Sequence, residues 1–302
     1  MIKLLFCHDP LADKQADARF IHEAQAAASL GLDHHLLDHE AIMRGNMARA
    51  VRHVPWYREE TLAIFRGWEM PERHYDLLYE ALLSRGLRLV NTPDQYVHTL
   101  YLPEALPILG EHTPRTVVLR GDGSLTTEEA LRALIPFAGK PVILRDFVHC
   151  QKHRWGTACL IRASDDPQQV EAAIMAFLEL QDRPVGGWVF REYVELTPLA
   201  PPMSDHLPLS LEYRLVYADG VCVAALHHWD ARYEGAAPPL ERFTEIARRV
   251  HSRFFTMDVA QRSDGAWIVL DLGDAQMISL LAQADVRAFY QAVIDQFDLP
   301  SA

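Results

Sequence analysis

The sequence lacks the long apolar segments that mark membrane and secreted proteins. No stretch of its 302 residues approaches about eighteen consecutive apolar side chains, the length that a membrane-spanning helix needs. The apolar run before Cys7 is far too short for a secretion signal. We therefore expect a cytoplasmic protein that has no membrane partner.

Cysteine and histidine patterns typical of metal sites are also missing. None of the four cysteines belongs to a Cys-x-x-Cys pair, so we expect buried thiols and no zinc site at Cys7, Cys150, Cys159 and Cys222. The histidine pairs His34–His35 and His227–His228 lack the i, i+4 spacing of a helical zinc site. No Ser/His/Asp or Cys/His order stands out, and the sequence does not indicate a hydrolase.

Positive charge is in short supply. The 41 acidic residues outnumber the 29 Lys and Arg residues, which gives a net charge of −12. This balance disfavours nonspecific attraction to nucleic acid or anionic lipid, so any basic site must be local. The 49% of apolar residues is enough for a sizeable core, and the length predicts two or three structural units.

The first third of the chain predicts an α/β domain over residues 1–112. Its pattern alternates between short apolar runs, expected as strands, and longer amphipathic stretches, expected as helices. Strands are predicted at Lys3–Cys7, His34–Asp38, Thr61–Phe65 and Arg88–Asn91. Helices are predicted at Ala16–Leu30, Tyr75–Arg85 and, interrupted by two prolines, Gln95–Leu109.

The rest of the chain predicts two α+β units, residues 113–194 and 195–302. In the first, helices at Thr126–Phe137 and Pro167–Gln181 separate strands at Thr116–Leu119, Pro141–Arg145, Ala158–Ile161 and Gly187–Val194. In the second, Asp-Gly turns join two pairs of strands, and helices are expected at Leu240–His251 and Ala284–Phe297. The paired strands are Leu211–Tyr217 with Val221–His228, and Phe255–Gln261 with Trp267–Leu272.

A basic segment follows one of these predicted strands. Arg145 ends the strand, and Lys152 lies in a loop that also carries histidines and an arginine. An arginine fork and a lysine point charge can together neutralise neighbouring phosphates of a polyphosphate. The alternative is an ordinary solvated basic loop.

An acidic cluster occupies the last hairpin. Asp258 interrupts one apolar strand, and Asp271 and Asp274 lie on or beside the next. Buried carboxylates are usually paired or bound to a metal, and Mg²⁺ on a nucleotide typically takes one or two of them. The alternative is that Asp258 pairs with Arg253 or Arg262 and that Asp274 only ends the strand.

Two further segments lie between these clusters. The strand that begins Glu212-Tyr213-Arg214 places a cation where it could meet charge developing in phosphoryl transfer, or it could form a surface pair with Glu212. The strand end Arg191-Glu192-Tyr193-Val194-Glu195 offers backbone groups that could bind an adenine edge.

Taken in order, these motifs resemble the nucleotide site of the ATP-grasp superfamily. The similarity covers residues 61–281 and is greatest to a poorly characterised bacterial and phage clade with Arg and Lys phosphate ligands. It rests on Phe65-Arg66-Gly67-Trp68, Asp146-Phe147-Val148, Lys152-His153, Glu212-Tyr213-Arg214 and Asp271-Leu272-Gly273-Asp274.

The resemblance implies a role for each matching residue and a bound Mg²⁺–ATP. Arg145 and Lys152 correspond to phosphate ligands, and Arg214 corresponds to the cation at the reacting centre. The adenine contacts fall on Glu192-Tyr193-Val194, whereas the metal ligands fall on Asp258 and Asp271.

The sequence departs from the family pattern at three places. Position 145 is Arg where many relatives have Lys, and the segment Gln95–Gly110 has no Lys for the α-phosphate, which leaves His98 as a candidate. The last metal position falls on Gly273, so Asp274 or Gln276 would have to serve instead.

A site for the second substrate is predicted beside the nucleotide. Arg66 follows a strand end, where open α/β sheets bind ligands, and Trp229 lies in a loop with Asp230 and Arg232. The alternative makes Trp68 and Trp229 packing residues and pairs Arg66 with an acidic neighbour, Glu69 or Asp76.

The resemblance implies an ATP-dependent ligase that phosphorylates a carboxylate and then transfers the acyl group to an amine or a thiol. The expected partners are small-molecule or peptide substrates, and nucleic acid is not expected. The alternatives are a phosphotransferase on the same fold and a nucleotide-binding regulatory protein that has lost catalysis.

Overall fold

The N-terminal part of the chain forms a mostly parallel sheet with helices on both faces. The computed structural model describes residues 2–121, 123–181, 183–199, 208–231, 233, 235–281 and 284–298. The strands are β1 (Lys3–Asp9), β2 (Ala12–Ala16), β3 (His34–Leu37), β4 (Thr61–Arg66) and β5 (Leu87–Leu89). Strands β3, β1, β4 and β5 are parallel, and β2 pairs antiparallel with the end of β1.

Alternation along β1 builds two cores around this sheet. Leu4 and Phe6 contact the cluster that contains helix α1, whereas Leu5 and Cys7 contact the cluster of helices α2 to α5. The helices of this part are α1 (Ile21–Ser29), α2 (His39–Met43), α3 (Met47–Ala50), α4 (Glu72–Leu83), α5 (Pro93–Leu100) and α6 (Leu102–Leu109).

A second sheet follows, with helices on one face. Its antiparallel order is β6-β9-β7-β8, formed by β6 (Thr116–Arg120), β7 (Val142–Asp146), β8 (Leu160–Ile161) and β9 (Gly187–Glu192). Helices α7 (Thr127–Leu134) and α8 (Pro167–Leu180) cover the face that carries Trp188 and Phe190. Because side chains alternate along a strand, Val189 and Arg191 point to the opposite face.

A third, antiparallel sheet has the order β11-β10-β12-β13. Its strands are β10 (Glu212–Ala218), β11 (Val221–His227), β12 (Phe254–Gln261) and β13 (Trp267–Asp274). Helix α9 (Leu240–Ala247) packs on one face, in the cluster that holds Leu215 and Met257. Helix α10 (Val286–Asp298) packs instead in the cluster shared with α1 and β1, and so joins this sheet to the N-terminal part.

The predicted arrangement of an α/β N-terminal domain before two α+β units is confirmed, with three local differences. Residues 12–16 form strand β2, so helix α1 begins at Ile21 and not at Ala16. The stretch 95–109 is two helices, because Tyr101 between them has an extended backbone with φ −92° and ψ 107°. The predicted strand from Ala158 is shorter, since Trp155–Cys159 forms a π-helix.

Short 3-10 helices complete the structure at Gly110–His112, Ile135–Phe137, Lys152–Arg154 and Ala275–Met277. We keep 112/113 and 194/195 as proposed domain boundaries, because each lies between two of the sheets. No described helix combines the length and apolar character required to cross a bilayer.

Candidate active site

A cavity of about 390 Å³ separates the second sheet from the third. The second sheet contributes Ile143, Arg145 and Arg191 to its wall. The third sheet contributes Asp258 and Asp271. Cations and carboxylates that lie more than a hundred residues apart in the chain therefore face one another.

Arg145 is a buried cation whose partners are fixed. Its Nη1 donates to Asp271 Oδ2 at 2.5 Å, its Nη2 to the Val148 carbonyl at 2.7 Å and its Nε to the Asp146 carbonyl at 3.1 Å. Burial lowers the pKa of Arg145, but the charge and hydrogen bond of Asp271 outweigh burial and raise it overall. The predicted phosphate cation and the predicted metal carboxylate thus neutralise each other.

Lys152 lies on a 3-10 turn at the cavity wall. Its side chain is exposed, and its Nζ lies 5.7 Å from the centre of the Trp229 ring, which also lines the cavity. This cation–π contact contributes about 0.5–1 kcal/mol at an exposed site. Lys152 is therefore weakly held and can turn towards an anionic ligand.

Asp258 and Asp271 face each other across the β12–β13 pair. Asp258 accepts two hydrogen bonds from Arg214, from Nε and Nη2, both at 2.7 Å. Burial raises the pKa of Asp258, but Arg214 and His228 lower it well below its usual range. The side chain of Asp271 is 29% exposed.

The alternative partners suggested for Asp258 and Arg214 are not those observed. Arg253 pairs with Asp219 and Arg262 with Asp264, so neither reaches Asp258. The expected Glu212–Arg214 surface pair does not form either. Glu212 is buried at the cavity wall, where its carboxylate accepts a hydrogen bond from the Ser210 hydroxyl.

Arg214 is adjacent to the cavity and not part of its lining. Its side chain is 29% exposed and reaches the cavity through Asp258, which does line it. Burial lowers the pKa of Arg214, but the charge of Asp258 raises it overall. A role at the reacting centre stays a prediction, and it requires Arg214 to act beside Asp258.

The strand end that follows β9 lines the cavity with Glu192, Tyr193 and Val194. The Glu192 amide donates to the Arg115 carbonyl at 2.8 Å, and the Tyr193 amide donates to the Pro141 carbonyl at 3.0 Å. Within the described part of the chain, the Val194 amide has no such partner. It is the amide of this segment best placed to bind a base.

Arg191 is a cavity residue to which the sequence assigned no role. It is 6% exposed, and its Nη2 donates to the Thr113 hydroxyl and, at 3.4 Å, to the Val269 carbonyl. Its Nε has no hydrogen-bond partner among the described residues. Burial lowers the pKa of Arg191 to about 10, since the nearest carboxylate, Asp271, is already bound to Arg145.

A signal for Arg191 was present in the sequence. Trp188 and Phe190 are large apolar residues that belong on a covered face of the strand, and alternation then assigns Arg191 to the other face. Register adds that Arg191 is opposite Ile143, two residues from Arg145 on the same face.

The predicted substrate contact of Arg66 needs correction. The side chain has no exposed surface and does not line the cavity. Its Nε and Nη2 donate to Glu23 Oε2 at 2.9 and 2.7 Å, and its Nη1 donates to the Ala275 carbonyl at 2.5 Å. Tyr290 donates to the same carboxylate oxygen at 2.6 Å. A guanidinium enclosed in this way is a structural link between the N-terminal sheet and α10, and neither Glu69 nor Asp76 is its partner.

The predicted metal ligation by Asp274 or Gln276 is also corrected. Asp274 is 2% exposed and accepts hydrogen bonds from Asn91 Nδ2 at 2.8 Å and the Gln276 amide at 2.8 Å. Gln276 is fully buried and donates to the Tyr75 hydroxyl. Alternation along β13 explains this result, because Asp271 and Gly273 share one face and Asp274 takes the other.

The remaining predicted residues lie apart from the cavity wall. Trp68 packs against Phe20 and donates from Nε1 to Asp17, as its packing alternative predicted. His98 packs edge-on against His251. Asp230 is exposed and does not line the cavity. Arg232 lies outside the described residues.

The carboxylates at this cavity suit a magnesium ion that shares its coordination with phosphates. Among the described residues, no group of three or more His, Cys, Asp or Glu side chains could hold a metal without a ligand's help. The pair Asp258 and Asp271 supplies the one or two carboxylates that Mg²⁺ typically takes beside a nucleotide.

Solved structures with this fold are ATP-grasp proteins. D-cycloserine synthetase superposes with a TM-score of 0.62 at 18% identity, over 98% of this chain and 99% of that chain. A RimK domain ATP-grasp protein from Sphaerobacter thermophilus gives a TM-score of 0.60 at 17% identity, with 98% of both chains covered. The ATP-grasp ligase PsnB, complexed with minimal precursor, Mg and ADP, gives 0.56 at 14% identity, over 98% of this chain and 97% of that chain.

These similarities show that the fold is shared. No curated protein sequence matches the chain significantly. The sequence model of an ATP-grasp domain, the third family of its clade, matches residues 137–293, which include both sides of the cavity. Because that match spans more than half of the 302 residues, the chain belongs to the ATP-grasp superfamily, in the clade family that this model describes.

Proposed function

We propose that the protein is an ATP-dependent ligase that joins a carboxylate to an amine or a thiol through an acylphosphate. The observation that carries this proposal is the meeting of Lys152 and Asp271 at one cavity, together with Arg145 and Asp258. The cations and the two acidic groups there provide for a polyphosphate with its magnesium. ATP use also fits the cytoplasmic location expected from the sequence.

The nucleotide would lie along the cavity with its phosphates at the basic end. Arg145, Lys152 and the buried Arg191 converge on that end, and phosphate oxygens would give the Arg191 Nε an acceptor that the described residues do not supply. The base would lie by the strand end at Glu192-Tyr193-Val194, where the Val194 amide can donate.

Asp258 and Asp271 would hold the magnesium ion. When bound, Mg²⁺ supplies positive charge that neutralises the phosphates. Both carboxylates are bound to arginines in the structure, so nucleotide binding requires Arg145 to exchange Asp271 for a phosphate oxygen. The site is thus neutral before binding and rearranges its own ion pairs when the ligand enters.

The chemistry is a double displacement at the substrate carboxyl group. A carboxylate oxygen attacks the γ-phosphorus and ADP leaves, which gives an acylphosphate. The amine then attacks the acyl carbon and inorganic phosphate leaves, while the amine proton passes to solvent. Phosphoryl transfer of this kind depends mainly on positioning and charge neutralisation, which Arg145, Lys152 and Arg214 would supply.

The acceptor would bind at the end of the cavity that holds Trp229. The solved structures with this fold include a synthetase of a small molecule, D-cycloserine, and a ligase bound to a minimal precursor. We therefore propose a small-molecule or peptide carboxylate, with an amine as the second substrate.

An ADP-release screen over pairs of amino acids, short peptides and polyamines tests this proposal. We expect release that requires both a carboxylate and an amine, and that is lost in Lys152→Ala and in Asp271→Ala. Arg132→Ala is the matched control, because Arg132 is exposed on α7, away from the cavity. Near-normal turnover in both cavity variants would show that the site is wrongly placed.

One observation supports a second candidate, a nucleotide-binding protein without ligase activity. Gly273 shares the cavity face of Asp271 and carries no side chain where relatives have a metal ligand. Such a protein would bind Mg²⁺–ATP and release no ADP with any acceptor. A phosphotransferase would instead release ADP with a carboxylate alone, without any amine.

A further inference from the structure

Two cysteines meet at the wall of the cavity. Cys150 lines the cavity beside Lys152 and Trp155, and Cys159 is fully buried behind it. Both thiols belong to the small cluster formed around Trp155 and Leu160, and both are free. They form a pair of thiols with one member open to the cavity.

The surroundings give the two thiols different reactivity. A direct interaction with Cys159 lowers the pKa of Cys150, burial opposes this, and the cations Arg145 and Lys152 lower it further. The pKa of Cys159 is raised by the same interaction and by burial. A low pKa and access to solvent mark the attacking thiol, so Cys150 would react first.

The other two cysteines offer an internal contrast. Cys7 is fully buried, and burial raises its pKa to about 12. Cys222 is partly buried on the third sheet, and burial raises its pKa as well. Neither lines the cavity. Both are therefore expected to be inert towards oxidants that reach Cys150.

The backbone between Cys150 and Cys159 holds the proposed phosphate-binding lysine. It runs through the 3-10 turn Lys152–Arg154 and the π-helix Trp155–Cys159. π-Helices are rare and occur frequently at functional sites. A bond between the two sulfurs would enclose Lys152 in a short ring and fix the turn that carries it.

We propose that Cys150 and Cys159 form a modification site, which hydroperoxides oxidise to an intramolecular disulfide that hinders nucleotide binding. The disulfide fixes the sulfur atoms about 2 Å apart and so restrains the loop that must move Lys152 towards phosphate. This consequence for the nucleotide rests on the proposed function, whereas the oxidation itself does not.

The chemistry consumes one peroxide and two thiols. The Cys150 thiolate attacks one peroxide oxygen, the O–O bond breaks, and water leaves after the released hydroxide gains a proton. The Cys159 sulfur then attacks the sulfenic sulfur of Cys150, the S–O bond breaks, and a second water leaves with the Cys159 proton. Two electrons pass from the thiols to the peroxide, and an external thiol reverses the reaction.

Nucleotide and oxidant would compete for the same surroundings. Phosphates bound to Arg145 and Lys152 would neutralise the charges that favour the Cys150 thiolate and would cover the sulfur. Each unit by which the thiolate pKa then rises slows oxidation by roughly tenfold near neutral pH. By linkage, a nucleotide that disfavours the disulfide is itself disfavoured by the disulfide.

The experiment treats the whole protein with hydrogen peroxide and counts thiols, with peptide mapping by mass spectrometry. We expect the reduced protein to lose two of its four thiols and to yield a linked pair of peptides that contain Cys150 and Cys159. In Cys159→Ser, Cys150 should be trapped as a sulfenic acid by dimedone. In Cys150→Ser the thiol titre should not change, and Cys222→Ser, the control variant, should behave like the unaltered protein apart from its missing thiol.

Oxidation at Cys7 or Cys222, retention of all four thiols, or disulfides between chains would overturn the modification site. Repeating the oxidation with saturating Mg²⁺–ATP separates this proposal from the function. Slowing by about tenfold or more supports both. An intramolecular disulfide that forms at the same rate with and without Mg²⁺–ATP would preserve the modification site and refute its effect on nucleotide binding.

Discussion

Arg191 allows stability and function to be tested with one substitution. The side chain is 6% exposed, and its Nε finds no hydrogen-bond partner in the described part of the structure. Lowering of its pKa to about 10 by burial corresponds to a cost of ~3 kcal/mol for the charged form in the free protein. Arg191→Met keeps much of the length of the side chain and removes that cost.

The substitution also loses hydrogen bonds to the Thr113 hydroxyl and the Val269 carbonyl. Each contributes about 0.5–1.5 kcal/mol, so we expect Arg191→Met to raise the free energy of unfolding by a net ~1–2 kcal/mol. The same variant should bind Mg²⁺–ATP more weakly, since a charge-assisted hydrogen bond to phosphate contributes about 1.5–3 kcal/mol. That range corresponds to a roughly 10- to 150-fold higher Kd.

Urea unfolding without nucleotide and calorimetric titration with Mg²⁺–ATP measure the two effects. Arg191→Lys should keep part of the affinity, because it retains a cation without the planar fork. The control Arg132→Met changes an exposed arginine on α7 and should alter neither quantity. If Arg191→Met destabilises the protein and binds Mg²⁺–ATP normally, Arg191 is a structural residue and our account of it is wrong.

Three further predictions concern charge. Lys152→Ala should raise the Kd for ATP roughly 10- to 150-fold in calorimetry with little change in stability, because its side chain is held in the described structure by a contact with a tryptophan ring; equal affinity would contradict this. Burial raises the pKa of Asp274 to about 6, so its contribution to stability is full below about pH 3.8 and lost as pH rises through 6, by ~3 kcal/mol; unfolding of Asp274→Asn across that window should lack this fall. Hydrogen bonds to Asp146 and Glu69 raise the pKa of His149 to about 10, so stability from this ion pair is full below about pH 6.5 and lost as pH rises through 10; His149→Gln should unfold with a flatter profile from pH 6.5 to 10, and an unchanged profile would refute the pairing.

Local sequence signals determined most elements of the fold. Helix α7 begins where Thr126 and Glu129 exchange hydrogen bonds in a capping box, as the sequence predicted. The turn between β10 and β11 lies at Asp219-Gly220, both with positive φ, which a glycine adopts without strain. These features depend on residues a few positions apart, and for that reason a single sequence contains them.

The sequence also determined which charges gather at the cavity, through the alternation of strands. Asp258 and Asp271 share a face because one hairpin joins their strands, and Arg145 ends a strand of the facing sheet. The same rule, applied to β13, would have excluded Asp274, which occupies the opposite face.

Only the tertiary structure decided which charge pairs with which. Arg66 and Arg191 both lie on apolar strands, yet Glu23 encloses the first, whereas the second lines the cavity without a described carboxylate of its own. Arg145 takes Asp271 from across the cavity, and Arg214 takes Asp258 from a neighbouring strand. Strand pattern fixes the face on which a side chain lies, because that depends on near neighbours. The partner it meets depends on how distant segments pack, since a charge removed from water binds whichever opposite charge the fold brings within reach.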